Sequence, residues 1–170
     1  MNETFQEFLK NLTKQKIAII GAGVSNIPLI QKLVSLNCDL TLFDQKEEEN
    51  LNEEMQKLIQ KGILKASLGK EYLERLNHFD IIFRSPSFLP NNPYLRKEKS
   101  RGAIITSEIE EVIRYAPCKT IGITGSKGKT TTTTIITHIL KELGYHVFTG
   151  GNIGTPLFNQ IENMKKEDIV

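Results

Sequence analysis

The chain has 170 residues, 39% of them hydrophobic, and its 22 Lys and Arg against 20 Asp and Glu leave a formal net charge of +2. That length suits one domain, or one domain plus part of another, with enough apolar content for a packed core. The near-neutral balance gives no electrostatic case for nucleic acid or a membrane surface, so any anion site must be local.

No apolar run approaches the ~20 residues that span a bilayer. The N-terminus, interrupted by Glu3, Glu7 and Lys10, does not read as a signal peptide. Cys38 and Cys118 lie 80 positions apart and fit neither a zinc nor a dithiol spacing, which predicts free thiols and a cytoplasmic, reducing compartment.

In chain order, Phe5, Phe8, Leu9 and Leu12 predict a short amphipathic helix over about 3–13. Strand and helix then alternate. Lys16 to Ile20 reads as a strand, Ile27 to Leu36 as a helix, Asp39 to Phe43 as a strand and Leu51 to Lys61 as a helix, followed by a weak strand at Leu64 to Leu68. Lys70 to Leu76 is predicted as a short helix, Asp80 to Arg84 as a strand, Asn92 to Arg101 as a helix, Ala103 to Thr106 as a strand and Ser107 to Tyr115 as a helix. Such βα repetition predicts an α/β fold with a parallel sheet and right-handed crossovers.

Pro117 then breaks the chain, and a fresh unit opens with a strand at 119–123, a long helix, a strand at His146 to Thr149 and a helix near Thr155 to Glu162. Asp168-Ile169-Val170 reads as the start of another buried strand. Two strands make no stable sheet alone. The expected organisation is therefore a Rossmann-like domain at 1–116 and the truncated beginning of a second α/β domain at 117–170.

Between the 119–123 strand and the long helix runs Thr124-Gly125-Ser126-Lys127-Gly128-Lys129-Thr130-Thr131. Its glycines allow backbone N–H groups to wrap an anion, Lys129 reaches outer phosphates, and the Thr130 hydroxyl is placed to ligate Mg²⁺. The standard phosphate-loop pattern wants glycine where Ile123 stands; Gly122 and Gly125 flank it instead. Five consecutive threonines, Thr130 to Thr134, weaken helix propensity, so the face carrying Ile135, Ile136, Ile139, Leu140 and Leu143 is expected to hold this helix by packing. His138 falls on the opposite side, as a surface residue.

A second glycine turn, Gly21-Ala22-Gly23-Val24-Ser25-Asn26, follows the first strand and opens a helix, with Asp44 ending the next strand. Asn26 occupies the place of the third glycine of a dinucleotide fingerprint. The residues leave open whether this turn binds a pyrophosphate or is an ordinary tight βα turn, whether Asp44 is a ligand or a solvated acid beside Glu47, Glu48 and Glu49, and whether Ser85-Pro86-Ser87 is a site or a plain loop.

Taken together, the first turn, Ser85-Pro86, Thr106-Ser107-Glu108-Ile109-Glu110, the phosphate loop and Gly150-Gly151-Asn152-Ile153-Gly154 resemble the Mur ligase family of peptidoglycan synthesis. The resemblance covers nearly everything beyond residue 15. It implies an ATP-dependent amide-bond ligase that forms an acyl phosphate on UDP-N-acetylmuramoyl-L-alanine and joins it to D-glutamate, using ATP and Mg²⁺. It further implies that Gly125, Ser126, Lys127, Gly128, Lys129, Thr130 and Thr131 hold ATP, that Lys129 is catalytic and that Thr130 binds the metal.

By the same resemblance, Gly23, Val24 and Ser25 lie near the UDP pyrophosphate, Asp44, Gln45 and Lys46 near uridine, and Ser85, Pro86, Ser87 and Asn152 beside the substrate. Asn26 and Ser87 depart from the family's usual glycines. The expectation is a monomer, inactive alone because the remaining catalytic groups lie beyond Val170. Two other readings stay open: an NAD-binding regulatory module built on Gly21, Gly23 and Asp44, and a sibling ligase that adds L-alanine.

Overall fold

The computed structural model describes residues 3–151 and 156–170, and they divide into two compact units, Met1–Glu108 and Ile109–Val170.

The first unit opens with α1 (Phe5–Leu12), which buries Phe8, Leu9 and Leu12. Thr4 and Glu7 close a reciprocal capping box at its start, Thr4 Oγ1 accepting the Glu7 N–H and the Glu7 carboxylate accepting the Thr4 N–H at 2.8 Å. The backbone bond from Thr4 holds the Glu7 carboxyl below its ordinary range, so the stability of this cap is present above that range and fades as pH falls.

Then come β1 (Lys16–Ile20), α2 (Asn26–Ser35), β2 (Asp39–Asp44), α3 (Glu53–Gln60), β3 (Lys65–Leu68), β4 (Ile81–Arg84), α4 (Pro93–Ser100) and β5 (Ile104–Thr106). The five strands form one all-parallel sheet in the order β3-β2-β1-β4-β5. Central β1 reads as a continuous apolar run because both of its faces are covered, and Ile17, Ala18 and Ile19 are fully buried. On one face Ala18, Ile20, Phe43 and Ile82 pack with Leu73, Leu76, Leu95 and Ala103.

In the first unit one element differs from its sequence expectation. Residues 70–76 make successive turns rather than a helix, with N–H bonds only three residues back (Tyr72 to Gly69, Glu74 to Glu71, Leu76 to Leu73). The Ser67 hydroxyl donates to the Tyr72 carbonyl at 2.8 Å, taking the acceptor that Leu76 would use in an α-helix. Gly69, at φ +81°, sets the direction of this segment.

Glu98 on α4 is fully buried. Its Oε1 accepts from Arg101 at 2.8 Å and its Oε2 from the Phe79 N–H at 3.3 Å, which ties α4 to the segment entering β4. Removing the cation strands a buried carboxylate, so Arg101→Met is expected to cost about 3 kcal/mol, whereas Glu98→Gln, which loses charge and one acceptor together, should cost about 1–2 kcal/mol. Urea unfolding of the two variants checks the order, and a reversal would mean that the Arg101 charge is not what compensates Glu98.

α5 (Glu108–Tyr115) leads into the second unit, whose long helix is α6 (Lys129–Glu142), closed by Gly144 at φ +88°. The strands expected at 119–123 and 146–149 are reduced to isolated parallel bridges, Lys119 to Ile169 and Val147 to Ile169. Ile169 therefore lies between the two segments, and each pairing is too short to count as a strand. The expected helix near 155–162 is a 3₁₀ helix at Phe158–Asn163, Thr155 lying outside the described residues.

On α6 only Ile136 and Leu140 of the expected apolar face are half-buried; Ile135, Ile139 and Leu143 are exposed, as is His138. Packing thus supports the threonine run less than its sequence predicts. The Thr133 and Thr134 hydroxyls donate back to the carbonyls of Lys129 and Thr130 at 2.9 Å each, which satisfies the hydroxyls without adding to helix stability.

Candidate functional site

In an open parallel sheet, ligands bind outside the carboxyl ends of the strands where the connections change direction. With the order β3-β2-β1-β4-β5 that crevice lies between β1 and β4. A cavity of about 370 Å³ sits at this edge, its walls coming from the ends of β1, β2 and β4 and from the turn after β3.

The turn Gly21-Ala22-Gly23 is locked to the strands beside it. Gly21 donates to the Phe43 carbonyl at 2.8 Å and Ser85 to the Ile20 carbonyl at 3.0 Å. Gly21 has φ +90°, and a Cβ there would come within 3.2 Å of the Ser85 Cβ, so both conformation and space call for glycine. The Ser85 and Ser87 hydroxyls are 3.0 Å apart.

Asp44 is nearly buried, and both of its oxygens are engaged: Oδ2 accepts the Ala22 N–H at 2.7 Å and Oδ1 the Lys46 N–H at 2.9 Å. The carboxylate therefore clasps the glycine turn to the corner that follows β2. An ionised carboxylate offers about four acceptor sites, so two lone pairs remain for a ligand.

Asn26 fills the place of the missing glycine in its own way. Its side-chain amide donates to the carbonyls of Ile20 at 3.2 Å and Gly21 at 2.8 Å, fastening the start of α2 to the end of β1. Ser25 stands at the N-cap without a side-chain cap bond, and Val24 is 80% exposed.

Of the residues expected here from the sequence, the cavity gathers Gly23, Asp44, Gln45, Lys46, Ser85 and Ser87; Val24, Ser25 and Pro86 do not line it. Asn152 lies outside the described residues. The cavity also takes in Ala22 of the glycine turn, and Tyr72 and Phe88, which sequence reasoning missed. Tyr72 was hidden because its segment read as a helix rather than as a turn at the ligand edge. Burial first, and then the charge of Asp44, push the Tyr72 phenol above its ordinary range, so it stays protonated.

In the second unit the loop Gly125 to Thr131 runs into α6 with Gly128 as N-cap at φ +77° and Gly125 at φ +152°, conformations that side chains rarely adopt. The loop is exposed apart from half-buried Lys129, whose ammonium group donates to the Gly125 carbonyl within the loop. A helix N-terminus behind an open glycine loop fits an anion, and the exposed Thr130 hydroxyl supplies an oxygen donor of the kind Mg²⁺ prefers. A separate cavity of about 250 Å³, lined by Thr133, Ile136, Thr137, Leu140, Phe148 and Leu157 among others, includes none of the residues from Gly125 to Thr131.

No helix among the described residues is long and apolar enough to cross a membrane. Comparison with known proteins bears on what these sites serve. Residues 123–169 match the Mur ligase middle domain. Over all 170 residues the chain is 51% identical to the UDP-N-acetylmuramoylalanine–D-glutamate ligase of Clostridium tetani and 51% identical to that of Clostridium novyi, in each case covering 37% of the relative. Among solved structures, a pseudomurein peptide ligase type C from Methanothermus fervidus is 27% identical, with a TM-score of 0.47, over 92% of this chain and 32% of that one. The chain thus spans little more than a third of the length of the curated relatives it matches, and its similarity to these Mur ligases runs through both glycine turns.

Proposed function

We propose that this chain is the nucleotide-handling part of an ATP-dependent ligase that joins D-glutamate to UDP-N-acetylmuramoyl-L-alanine. One observation carries the reading most: the cavity at the switch point brings the glycine turn, the Asp44 corner and the Ser85–Ser87 loop around one space at the carboxyl edge of the sheet. In this reading residues 1–116 cradle the UDP end of the substrate, with Gly23, Val24 and Ser25 toward the pyrophosphate, Asp44, Gln45 and Lys46 toward uridine, and Ser85, Pro86 and Ser87 beside the substrate. Residues 117–170 begin the ATP-binding domain.

Gly125, Ser126, Lys127, Gly128, Lys129, Thr130 and Thr131 would hold the ATP phosphates, and Thr130 the Mg²⁺. When bound, these groups supply an activated phosphoryl donor and neutralise its charge. Lys129 has a defined task in that scheme: its ammonium group leaves the Gly125 carbonyl for phosphate oxygens and stabilises the negative charge that builds on them. The glycine turn of the first unit binds and orients, and does not react.

D-Glutamate-dependent phosphate release by the full-length protein tests the activity. The reading predicts release that needs both UDP-N-acetylmuramoyl-L-alanine and D-glutamate; release driven by L-alanine with UDP-N-acetylmuramate would replace it with the sibling reaction. The second reading, an NAD-binding module, gains no support from the turn, where the Asn26 side chain rather than a third glycine ties helix to strand.

A further inference from the structure

Backbone N–H groups of a glycine turn sense an anion and its position, not the base attached to it. Recognition of the base must come from other surfaces of the same cavity, and two aromatic side chains provide them. Tyr72 and Phe88 both line it, and both are half-buried and pack on the core cluster that contains Ala18, Ile20, Phe43 and Ile82. They reach it from two flanks of the sheet: Tyr72 follows β3 and Phe88 follows β4, while β2 and β1 lie between those strands.

Both rings are carried on fixed backbone. The Tyr72 carbonyl accepts the Ser67 hydroxyl at 2.8 Å, and its N–H donates to the Gly69 carbonyl at 3.3 Å. Gly69 in turn donates to the carbonyls of Asp44 and Lys46 at 3.0 and 3.2 Å, so the Tyr72 turn is joined to the Asp44 corner. On the other flank the Phe88 N–H donates to the Ser85 carbonyl at 3.0 Å, and Arg84 donates to the Phe88 carbonyl at 3.4 Å. Rings held in this way need little further ordering to meet a flat ligand.

We propose that Tyr72, with Phe88 lining the same cavity, is the specificity-determining residue for the base end of the nucleotide ligand, offering a preset aromatic face on which the base stacks. The inference rests on the reading of this cavity as the cradle for a UDP compound. The polar rim supplied by Asp44, Gln45 and Lys46 lies beside the same space, so one edge of a stacked base meets hydrogen-bonding groups.

The test is calorimetric titration of the 170-residue chain with UDP and, as a probe that lacks the base, inorganic pyrophosphate. Wild type, Tyr72→Leu and Tyr72→Phe are compared, the first variant keeping apolar volume on the core and the second keeping the ring. Base–aromatic stacking predicts at least about a tenfold loss of UDP affinity in Tyr72→Leu, little loss in Tyr72→Phe, and pyrophosphate affinity changed by less than about twofold in either. UDP should also quench tyrosine emission in wild type and lose most of that quench in Tyr72→Phe. Unchanged UDP affinity in Tyr72→Leu, or an equal fall for UDP and pyrophosphate, overturns the assignment while leaving the cradle standing. Failure of UDP to bind wild type overturns the cradle reading itself, and this inference with it.

Discussion

Asp44→Ala is expected to lower the affinity of the chain for a UDP compound by about tenfold or more and to destabilise the first unit by about 2–4 kcal/mol, since two backbone N–H groups lose a charged acceptor at once. The size follows from the geometry of the clasp. The Ala22 N–H at 2.7 Å and the Lys46 N–H at 2.9 Å are the links that this one side chain makes between the glycine turn and the corner after β2. Without them the turn loses its registration against the corner with which it lines the cavity.

Asp44→Asn separates this role from a simple charge contact. An amide has one acceptor oxygen and places a donor where the other stood, so it keeps one bond and opposes the second. The expected order of affinity and of urea midpoint is wild type, then Asn, then Ala. If Asp44→Ala left the midpoint unchanged and affected binding alone, the carboxylate would be a ligand contact and not a clasp.

Ile169→Asp is expected to unfold the second unit. Ile169 is 7% exposed and bridges to both Lys119 and Val147, its N–H donating to the His146 carbonyl at 3.0 Å and its carbonyl accepting from Phe148 at 2.8 Å. Val170 adds a donor to the Lys119 carbonyl at 2.9 Å and an acceptor for Ile121 at 2.7 Å. An unpaired charge at this position combines lost apolar burial with desolvation of a carboxylate, together more than about 4 kcal/mol.

The unit has little reserve against that. Ile135, Ile139 and Leu143 on α6 remain exposed, and the segments at 119–123 and 146–149 touch Ile169 through single bridges. Hydrogen exchange should show α6 amides losing protection in Ile169→Asp, with the amides of β1, β2 and β4 still protected. Retained protection in α6 would mean that the helix is held by something other than the Ile169 pairing.

What the sequence conveys depends on how local the cause is. β1 is readable because a parallel strand buried on both faces must be a continuous apolar run, and Lys16–Ile20 emerges with the bounds that this pattern predicts. The turn at 70–76 is not readable, because its competitor is a single side-chain bond, from the Ser67 hydroxyl to the Tyr72 carbonyl, which apolar periodicity does not register. Residues 119–123 carry strand propensity, yet strand formation needs neighbours, and pairing there is limited to a short contact with Ile169 and Val170.

The same division runs through the candidate site. Gly21, Gly23 and Asp44 stand out by their spacing as candidates, a tight βα turn followed by an acid at the next strand end, while the same spacing also suits an ordinary turn and a solvated acid. The clasp function of Asp44 and the aromatic faces of Tyr72 and Phe88 do not, because they arise where loops after four different strands converge. Asn26 falls between the two cases: its departure from glycine is visible in the sequence, while its compensation, two bonds from one amide, is visible only in the fold.

The most direct test of the central claim is calorimetric titration of the 170-residue chain with UDP-N-acetylmuramoyl-L-alanine, with NAD titrated in parallel. Saturable heat for the UDP compound and none for NAD is the predicted result, for a cradle assembled from the ends of β1, β2 and β4 and the turn after β3. Saturable heat for NAD alone would contradict it and assign the glycine turn to a dinucleotide.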